Sequence, residues 1–121
     1  MRLPWIDIEQ PSGYEGLYYF TFEDMTDQVP RRLFEFPEGA AFRWACWGRG
    51  LDLSYDSSGP QLEWYPQHRV LELRIPEAAT ANIVRSGEYD MLMEWRPPGA
   101  GMRGLFEGQV RVMYVRRPPG G

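Results

Sequence analysis

The stretch Gly87-Glu-Tyr-Asp-Met-Leu-Met-Glu-Trp-Arg96, then Pro97-Pro-Gly-Ala-Gly101, then Leu105-Phe-Glu-Gly-Gln-Val-Arg-Val-Met-Tyr-Val115, decides the fold class. Side chains alternate between the two faces of a strand, so the first limb separates an apolar face from a charged one. The apolar face holds Tyr89, Met91, Met93 and Trp95, and the charged face holds Glu88, Asp90, Glu94 and Arg96. Two such limbs joined by a proline- and glycine-rich turn predict an antiparallel hairpin with one buried and one solvated face.

The second limb of this hairpin alternates as well. Its apolar positions are Val110, Val112 and Tyr114, and the residues between them are Gln109, Arg111 and Met113. A glycine inside a strand usually marks a bulge or a bend. We therefore predict a bulge at Glu107-Gly108 that bends the closing strand.

Length and composition set the class of molecule. At 121 residues the chain is one domain, and 15% aromatic residues can fill a core without metals or disulfides. Cys46 is the single cysteine, so an intrachain disulfide is excluded. The net charge is -4, which gives no electrostatic footprint for nucleic acid. No apolar run has the length of a membrane span or the form of a signal peptide, so we expect no membrane partner.

The rest of the chain also has the pattern of short strands. Strand-like alternation or aromatic content occurs over 16–23, 31–36, 41–47, 51–55, 61–65 and 69–75, with a turn over 24–30. Pro76 followed by Glu-Ala-Ala-Thr-Ala predicts one or two helical turns over 76–86, ended by Gly87. Residues 1–11 read either as a first strand or as an arm that reaches a neighbour.

This inventory predicts an all-β, antiparallel, immunoglobulin-like sandwich of about seven strands with one short helical turn. A partly open barrel is the alternative. We predict an extended N-terminal arm over 1–15, the sandwich over 16–115, and a C-terminal tail over 116–121, because the prolines of the tail cannot continue a central strand.

Several of these segments resemble a known family. The order Arg69-Val-Leu-Glu-Leu-Arg-Ile-Pro76, Ser86-Gly-Glu-Tyr-Asp-Met-Leu-Met-Glu94 and Leu105-Phe-Glu-Gly-Gln-Val-Arg-Val112 resembles small β-sandwich proteins of tailed bacteriophages, including the N-terminal domain of siphophage baseplate upper proteins. The matching positions are Gly87, Tyr89, Asp90, Leu105, Glu107, Gly108, Val110 and Val112, within a resemblance that covers roughly residues 16–115.

The resemblance implies a structural component of the virion, in the tail, baseplate or neck. Such a protein is made in the cytoplasm of the host bacterium and works by docking on other virion proteins and on copies of itself. The sequence shows no coiled coil or receptor-binding domain after the sandwich, which favours a stand-alone component. A capsid decoration protein is the second possibility in the same class.

Few residues could carry catalysis or bind a metal. His68 lies alone among loop residues, and Cys46 alternates inward with apolar neighbours. Glu88, Asp90 and Glu94 read as a solvated strand face rather than as a carboxylate pair. The acidic sets Glu23, Asp24 and Asp27, and Asp52 and Asp56, lack the spacing of a calcium loop. We expect no enzyme, no catalytic or cofactor-binding residue, no metal and no small-molecule substrate.

The large aromatic residues are the remaining sequence evidence about function. Tryptophan, tyrosine and arginine are enriched at contacts between proteins, and this chain has more large aromatics than a small sandwich needs inside. We predict a protein interface that includes Trp5, Ile6, Leu17, Tyr19, Trp47, Trp64 and Tyr65, with Trp5 and Ile6 anchoring the N-terminal arm on a neighbour. The alternatives are that several of them pack under loops, or that Trp47, Trp64 and Tyr65 form a stacking platform for a carbohydrate.

Overall fold

The computed structural model describes residues 2–23 and 32–116, which form eight strands and one single-turn helix. The elements are β1 (Trp5–Pro11), β2 (Gly16–Phe20), β3 (Ala41–Gly48), β4 (Leu51–Asp56), β5 (Leu62–Tyr65), β6 (Val70–Ile75), α1 (Glu77–Thr80), β7 (Gly87–Arg96) and β8 (Arg103–Met113). The all-β prediction is confirmed. The predicted turn over 24–30 and most of the predicted tail lie outside the described residues.

The strands form two sheets whose order is that of an immunoglobulin-like sandwich. Sheet A has the order β1-β8-β7-β3-β4, and sheet B has the order β2-β6-β5. In immunoglobulin terms, β8, β7 and β3 take the places of strands G, F and C, with β4 as C′, and β2, β6 and β5 take those of B, E and D. The predicted sandwich is therefore what the chain forms, rather than a partly open barrel.

Strand β1 corrects the prediction of an arm over residues 1–15. It lies beside β8 in parallel, from Trp5 opposite Glu107 to Pro11 opposite Met113, and is the exception to an antiparallel sandwich. The buried side chain of Gln10 ties this strand to β2, because its amide donates to the carbonyl of Tyr14 and its oxygen accepts the Tyr18 hydroxyl. Main-chain pairing thus holds the segment on its own molecule.

The hairpin of β7 and β8 is confirmed, but its bulge is not where the sequence placed it. Met93 lies opposite Phe106 and Glu94 opposite Gly104, so Leu105 is the extra residue. Gly108 lies in regular pairing and has a different role. A Cβ atom on Gly108 would stand 1.6 Å from the carbonyl oxygen of Ile6, so only glycine lets β1 approach β8 this closely.

The two sheets enclose a core of alternating inward residues. Trp44 on β3 is fully buried, and its indole nitrogen lies 3.4 Å from the sulfur of Met91 on β7. In antibody domains a tryptophan at this place on strand C packs on a disulfide that joins strands B and F. Here Met91 supplies the sulfur instead. The predicted inward positions of β3 and β6 are also buried: Phe42, Trp44, Cys46, Leu71, Leu73 and Ile75.

An aromatic cluster closes one side of the core. Phe36 is buried, and its ring contacts five others, those of Phe22, Phe34, Phe42, Trp64 and Trp95, at centroid distances of 4.8 to 5.5 Å. The prediction of a strand over 31–36 is wrong for the described residues, where only an isolated bridge joins Glu23 and Leu33. Ring packing rather than ladder pairing holds this segment.

Two predicted boundaries change as well. The helical segment predicted over 76–86 is a single turn, Glu77–Thr80, whose last residue accepts a hydrogen bond of 2.9 Å from the backbone of Gly13. Strand β8 ends at Met113, so Tyr114 is exposed instead of facing the core.

Candidate docking surfaces

The outer face of sheet B gathers three of the predicted interface residues. Leu17 and Tyr19 point outward from β2 and are 42% and 58% exposed, and Tyr65 on β5 lies on the same face. The register places Tyr19 beside Glu72 and Tyr65 beside Val70, so β6 lies between the two tyrosines. Together these residues form an apolar patch on the shorter sheet.

A shallow cavity of about 320 Å³ lies within this patch, and we call it the tyrosine hollow. It is lined by Tyr19, Tyr65, His68, Val70 and Glu72. The His68 side chain is exposed in the turn between β5 and β6, where the sequence placed a solvated loop histidine. The hollow presents two phenol rings and one aliphatic side chain to a partner.

The charges beside the tyrosine hollow are mostly acidic. The hydroxyl of Tyr65 donates to Glu63 at 2.8 Å, and this hydrogen bond raises the pKa of Tyr65. Glu72 lies 3.7 Å from Arg74, which also lies 3.8 Å from Glu15. The carboxylates of Glu63 and Glu72 therefore flank the rings, with one arginine already shared between Glu72 and Glu15.

The outer face of sheet A carries two more of the predicted interface residues, both of them tryptophans. Trp5 at the start of β1 is 58% exposed and Trp47 on β3 is 44% exposed. The indole nitrogen of Trp5 donates to Asp7 at 2.8 Å. Trp47 lies between two carboxylates in the sheet: it is opposite Asp90 of β7 on one side and opposite Asp52 of β4 on the other. Each tryptophan thus stands among carboxylates.

Carboxylates outnumber arginines on this face, and we call it the acidic face. Arg43 lies 2.7 Å from Glu94, and Arg111 lies 3.7 Å from Glu9 and 3.3 Å from Glu88. The outward acidic residues are Asp7, Glu9, Asp52, Asp56, Glu88, Asp90, Glu94 and Glu107, against the arginines Arg43, Arg96 and Arg111. The predicted charged face of β7 is therefore part of a larger acidic surface.

Two of the predicted interface residues point the other way. Ile6 lies partly buried against the core, and Trp64 packs on Phe36 and Phe42 at 4.9 and 5.7 Å. Trp64 and Tyr65 are adjacent in one strand, so they face opposite sides of sheet B. Trp47 belongs to the other sheet. The three residues of the predicted carbohydrate platform consequently do not share a surface.

The five motif residues of the hairpin have structural positions. Gly87 begins β7 and Tyr89 is buried two residues later, while Asp90 points to the acidic face. Glu107 lies opposite Trp5 and Gly108 opposite Ile6. They position the two central strands and the first strand, and only Asp90 and Glu107 contribute to an outer face.

The candidate catalytic and metal-binding residues are dispersed. Cys46 is fully buried, and burial, with a smaller contribution from Asp90, raises the pKa of its thiol to about 12. Among the described residues, no three histidine, cysteine or acidic side chains converge on a point that could hold a metal. Asp24 and Asp27 lie outside the described residues. At neutral pH, Cys46 is a protonated core residue and not a nucleophile.

The residues that the sequence reasoning missed are Val70, Glu72 and His68 of the tyrosine hollow. The signal that could have found them is the period of two on β5 and β6, which puts Tyr65, Val70 and Glu72 on the same side as Tyr19. No protein-family model matches the chain, and no curated protein is similar to it in sequence. No helix in the described part of the chain has the length and apolarity to cross a membrane.

Proposed function

We propose that the chain is a non-enzymatic structural component of a tailed-phage virion, in the tail, baseplate or neck. It works by docking on other virion proteins and on copies of itself. The observation that carries the docking role is the exposure of large apolar side chains on both outer faces, above all Leu17 and Tyr19 on sheet B. Exposed aromatics of this kind, rimmed by polar residues, mark contacts between proteins.

The virion setting rests on the sequence resemblance alone. The resemblance depends on residues of β7 and β8, and these two strands lie at the centre of sheet A with Tyr89 and Val110 paired in the core. The motif is therefore a fold motif, and its residues leave both outer faces available to partners. A capsid decoration protein would use the same surfaces at a different place in the particle.

The test is to tag the chain in the genome that carries its gene, induce particle formation, and purify particles on a density gradient. We expect the tag in the particles, and gold-labelled antibody at the tail, baseplate or neck. Label over the head would select the decoration role. Particles without the chain would contradict a structural role in the virion.

Variants identify the face that docks. We expect Leu17→Ser with Tyr19→Ser to lower incorporation into particles at least tenfold. Removal of large apolar side chains from the centre of a contact typically weakens binding by roughly 2 kcal/mol or more. Val84→Ser is the matched control, since Val84 is exposed but lies on neither outer face. If the control and the double variant are incorporated equally, sheet B is not the docking surface. Trp5→Ser with Trp47→Ser then tests the acidic face.

A further inference from the structure

We propose that the tyrosine hollow of one copy binds the C-terminal segment Arg116-Arg117-Pro118-Pro119 of a second copy. This inference deepens the proposed function by naming the contact between copies, and it rests on that function for its setting in a particle. The occupant is chosen by the chemistry of the hollow, by its charge, and by the distance from the place where β8 ends.

The rings of Tyr19 and Tyr65 fit two successive prolines. A Pro-Pro pair is stiff and extended, so it loses little conformational entropy on binding, and grooves lined by aromatic rings recognise such segments by ring-to-ring contact. Val70 lies opposite Tyr65 in the sheet and lines the hollow with both tyrosines. The other Pro-Pro pair of the chain, Pro97-Pro98, begins the turn after β7, in which the backbone of Ala100 donates to Pro97 at 3.1 Å. That pair is held in a turn and not in an extended form.

The charges next to the hollow suit the two arginines that precede the prolines. Glu63 and Glu72 flank the hollow, and Arg74 is shared between Glu72 and Glu15. Guanidinium groups pair well with carboxylates in a planar, two-pronged geometry. A bound tail would place Arg116 and Arg117 near these carboxylates while the prolines cover the tyrosine rings.

The tail comes from a second copy because the chain's own tail cannot reach. Strand β8 ends where β1 ends and β7 begins, since Met113 lies opposite Pro11 and Val112 opposite Gly87. Tyr65 and Val70 lie at the far end of β6, roughly 17 Å away along the strand. They are also on the other sheet, roughly 10 Å further. Val115 is held beside Ser12, because its backbone N–H donates to the Ser12 hydroxyl at 3.3 Å. The four residues from Val115 to Pro119 span at most about 14 Å, so the tail falls short of Tyr65 and Val70 on the same molecule.

A contact of this kind joins two different surfaces, so it propagates head to tail. Copies would form a closed ring if the rotation between neighbours closes, and a filament if it does not. The acidic face remains uncovered in either arrangement, because neither partner surface includes it.

The first test measures binding of an acetylated peptide with the sequence of residues 115–121 to the full-length protein by NMR. We expect shifts at Tyr19, Tyr65 and Val70. We expect the affinity to fall about tenfold or more in Tyr65→Ser, the scale of a central aromatic contact. A peptide with glutamine for both arginines and alanine for both prolines is the matched control. Equal binding of this control, shifts confined to the acidic face, or no shifts would overturn the proposal.

The second test uses two complementary variants in sedimentation velocity. The tail variant carries Arg116→Gln, Arg117→Gln, Pro118→Ala and Pro119→Ala, and the hollow variant carries Tyr19→Ser and Tyr65→Ser. We expect the wild-type protein to associate as its concentration rises toward about 1 mM, where contacts of roughly 4 kcal/mol become visible. Each variant alone should be monomeric, and an equimolar mixture should give a 1:1 pair, because only one competent tail and one competent hollow remain.

A wild-type protein that stays monomeric, a tail variant that associates like the wild type, or a mixture that stays monomeric would each overturn the proposal. Circular dichroism and urea unfolding check that both variants are folded. Pro98→Ala is the control for proline content and should associate like the wild type. Association in solution and incorporation into particles are separate measurements, so association without incorporation contradicts the virion role, and incorporation without association contradicts this contact.

Discussion

Sheet A presents eight carboxylates and two tryptophans to solvent, whereas sheet B presents Leu17, Tyr19 and Tyr65 with only two carboxylates and one arginine beside them. Both faces are formed by pleated β-strands, so the difference in charge and in apolar content comes from the residues that point outward. A face whose charges are mostly of one sign disfavours contact with a copy of itself. Contacts between like subunits are therefore easier to build through sheet B, and the acidic face is suited to partners of opposite charge.

The largest expected effect concerns β1, which is the fifth strand of sheet A, while sheet B has three strands. Gly108→Ala should lower the free energy of unfolding by roughly 3 kcal/mol or more, because the new methyl group would overlap the Ile6 carbonyl and push β1 away from β8. Urea unfolding measures the loss. Gly101→Ala is the matched control, since a Cβ there meets nothing within 4 Å, and it should stay within about 0.5 kcal/mol of the wild type. Equal stability of the two variants would show that β1 is dispensable.

The next effect concerns Cys46, a core residue whose thiol pKa is influenced by Asp90 of the acidic face. At pH 7, Cys46→Ala should cost about 1 kcal/mol or slightly more, as for a small buried deletion. The thiol pKa is raised from 9.0 to about 12, so the unfolded chain loses this proton from about pH 9 upward while the folded protein keeps it. The wild type should therefore lose stability with rising pH, by up to about 1.4 kcal/mol per pH unit, through a term that the alanine variant lacks.

The stability difference between these two proteins should accordingly shrink above pH 9 and reverse by roughly pH 10.5. Unfolding of both proteins at a series of pH values measures this. Asp90→Asn should lower the pKa of Cys46, because the Asp90 carboxylate contributes to its rise, and Asp7→Asn should not. A constant difference across this range would mean that the thiol is accessible to water in the folded state.

A smaller effect is expected from the ion pairs of the two faces. Arg43→Gln removes a contact of 2.7 Å to Glu94 on the acidic face, and Arg74→Gln removes contacts of 3.7 and 3.8 Å on sheet B. Both arginines are about half exposed, so neither change should lower the free energy of unfolding by more than about 1 kcal/mol, and both losses should shrink with added salt. We expect the larger loss at Arg43. A larger loss at Arg74 would show that sheet B depends on its charges more than the acidic face does.

No effect at all is expected from oligosaccharides. Trp47 and Tyr65 lie on the outer faces of different sheets, and Trp64 packs in the core cluster, so these three rings cannot form one row that stacks on successive sugars. Titration with a panel of oligosaccharides should leave tryptophan fluorescence unchanged. Saturable quenching would restore the carbohydrate-binding alternative.

Much of the fold follows from alternation that is visible in the sequence. The period of two correctly placed Tyr89, Met91, Met93 and Trp95 in the core, and the same pattern located β3 and β6. The proline- and glycine-rich turn over 97–101 correctly predicted that β7 and β8 form a hairpin. These features are predictable because each depends on residues that are near one another in the chain.

Features that depend on distant residues were not predictable in this way. The pairing of β1 with β8 and the role of Gly108 depend on two strands that are about a hundred residues apart in the sequence, and no local pattern encodes this pairing. Phe36 was assigned to a strand because aromatic content favours strands, whereas its ring contacts hold it outside any ladder. For the tyrosine hollow, the alternation of side chains along the strands could place Tyr19 and Tyr65 on outer faces. It could not show that β6 brings them together.

The parallel pairing of β1 with β8 also has a consequence for biosynthesis. Trp5 has its sheet partner at Glu107, about a hundred residues later, so β1 leaves the ribosome well before the strand that pairs with it. Closing so long a loop is entropically costly, and proteins rich in such contacts fold slowly. At roughly 5–20 residues per second, β1 waits for at least five seconds or so before β8 is synthesised. During that interval Ile8 and the rest of its apolar face are exposed to chaperones and to other nascent chains, and sheet A becomes complete only after translation has passed Met113.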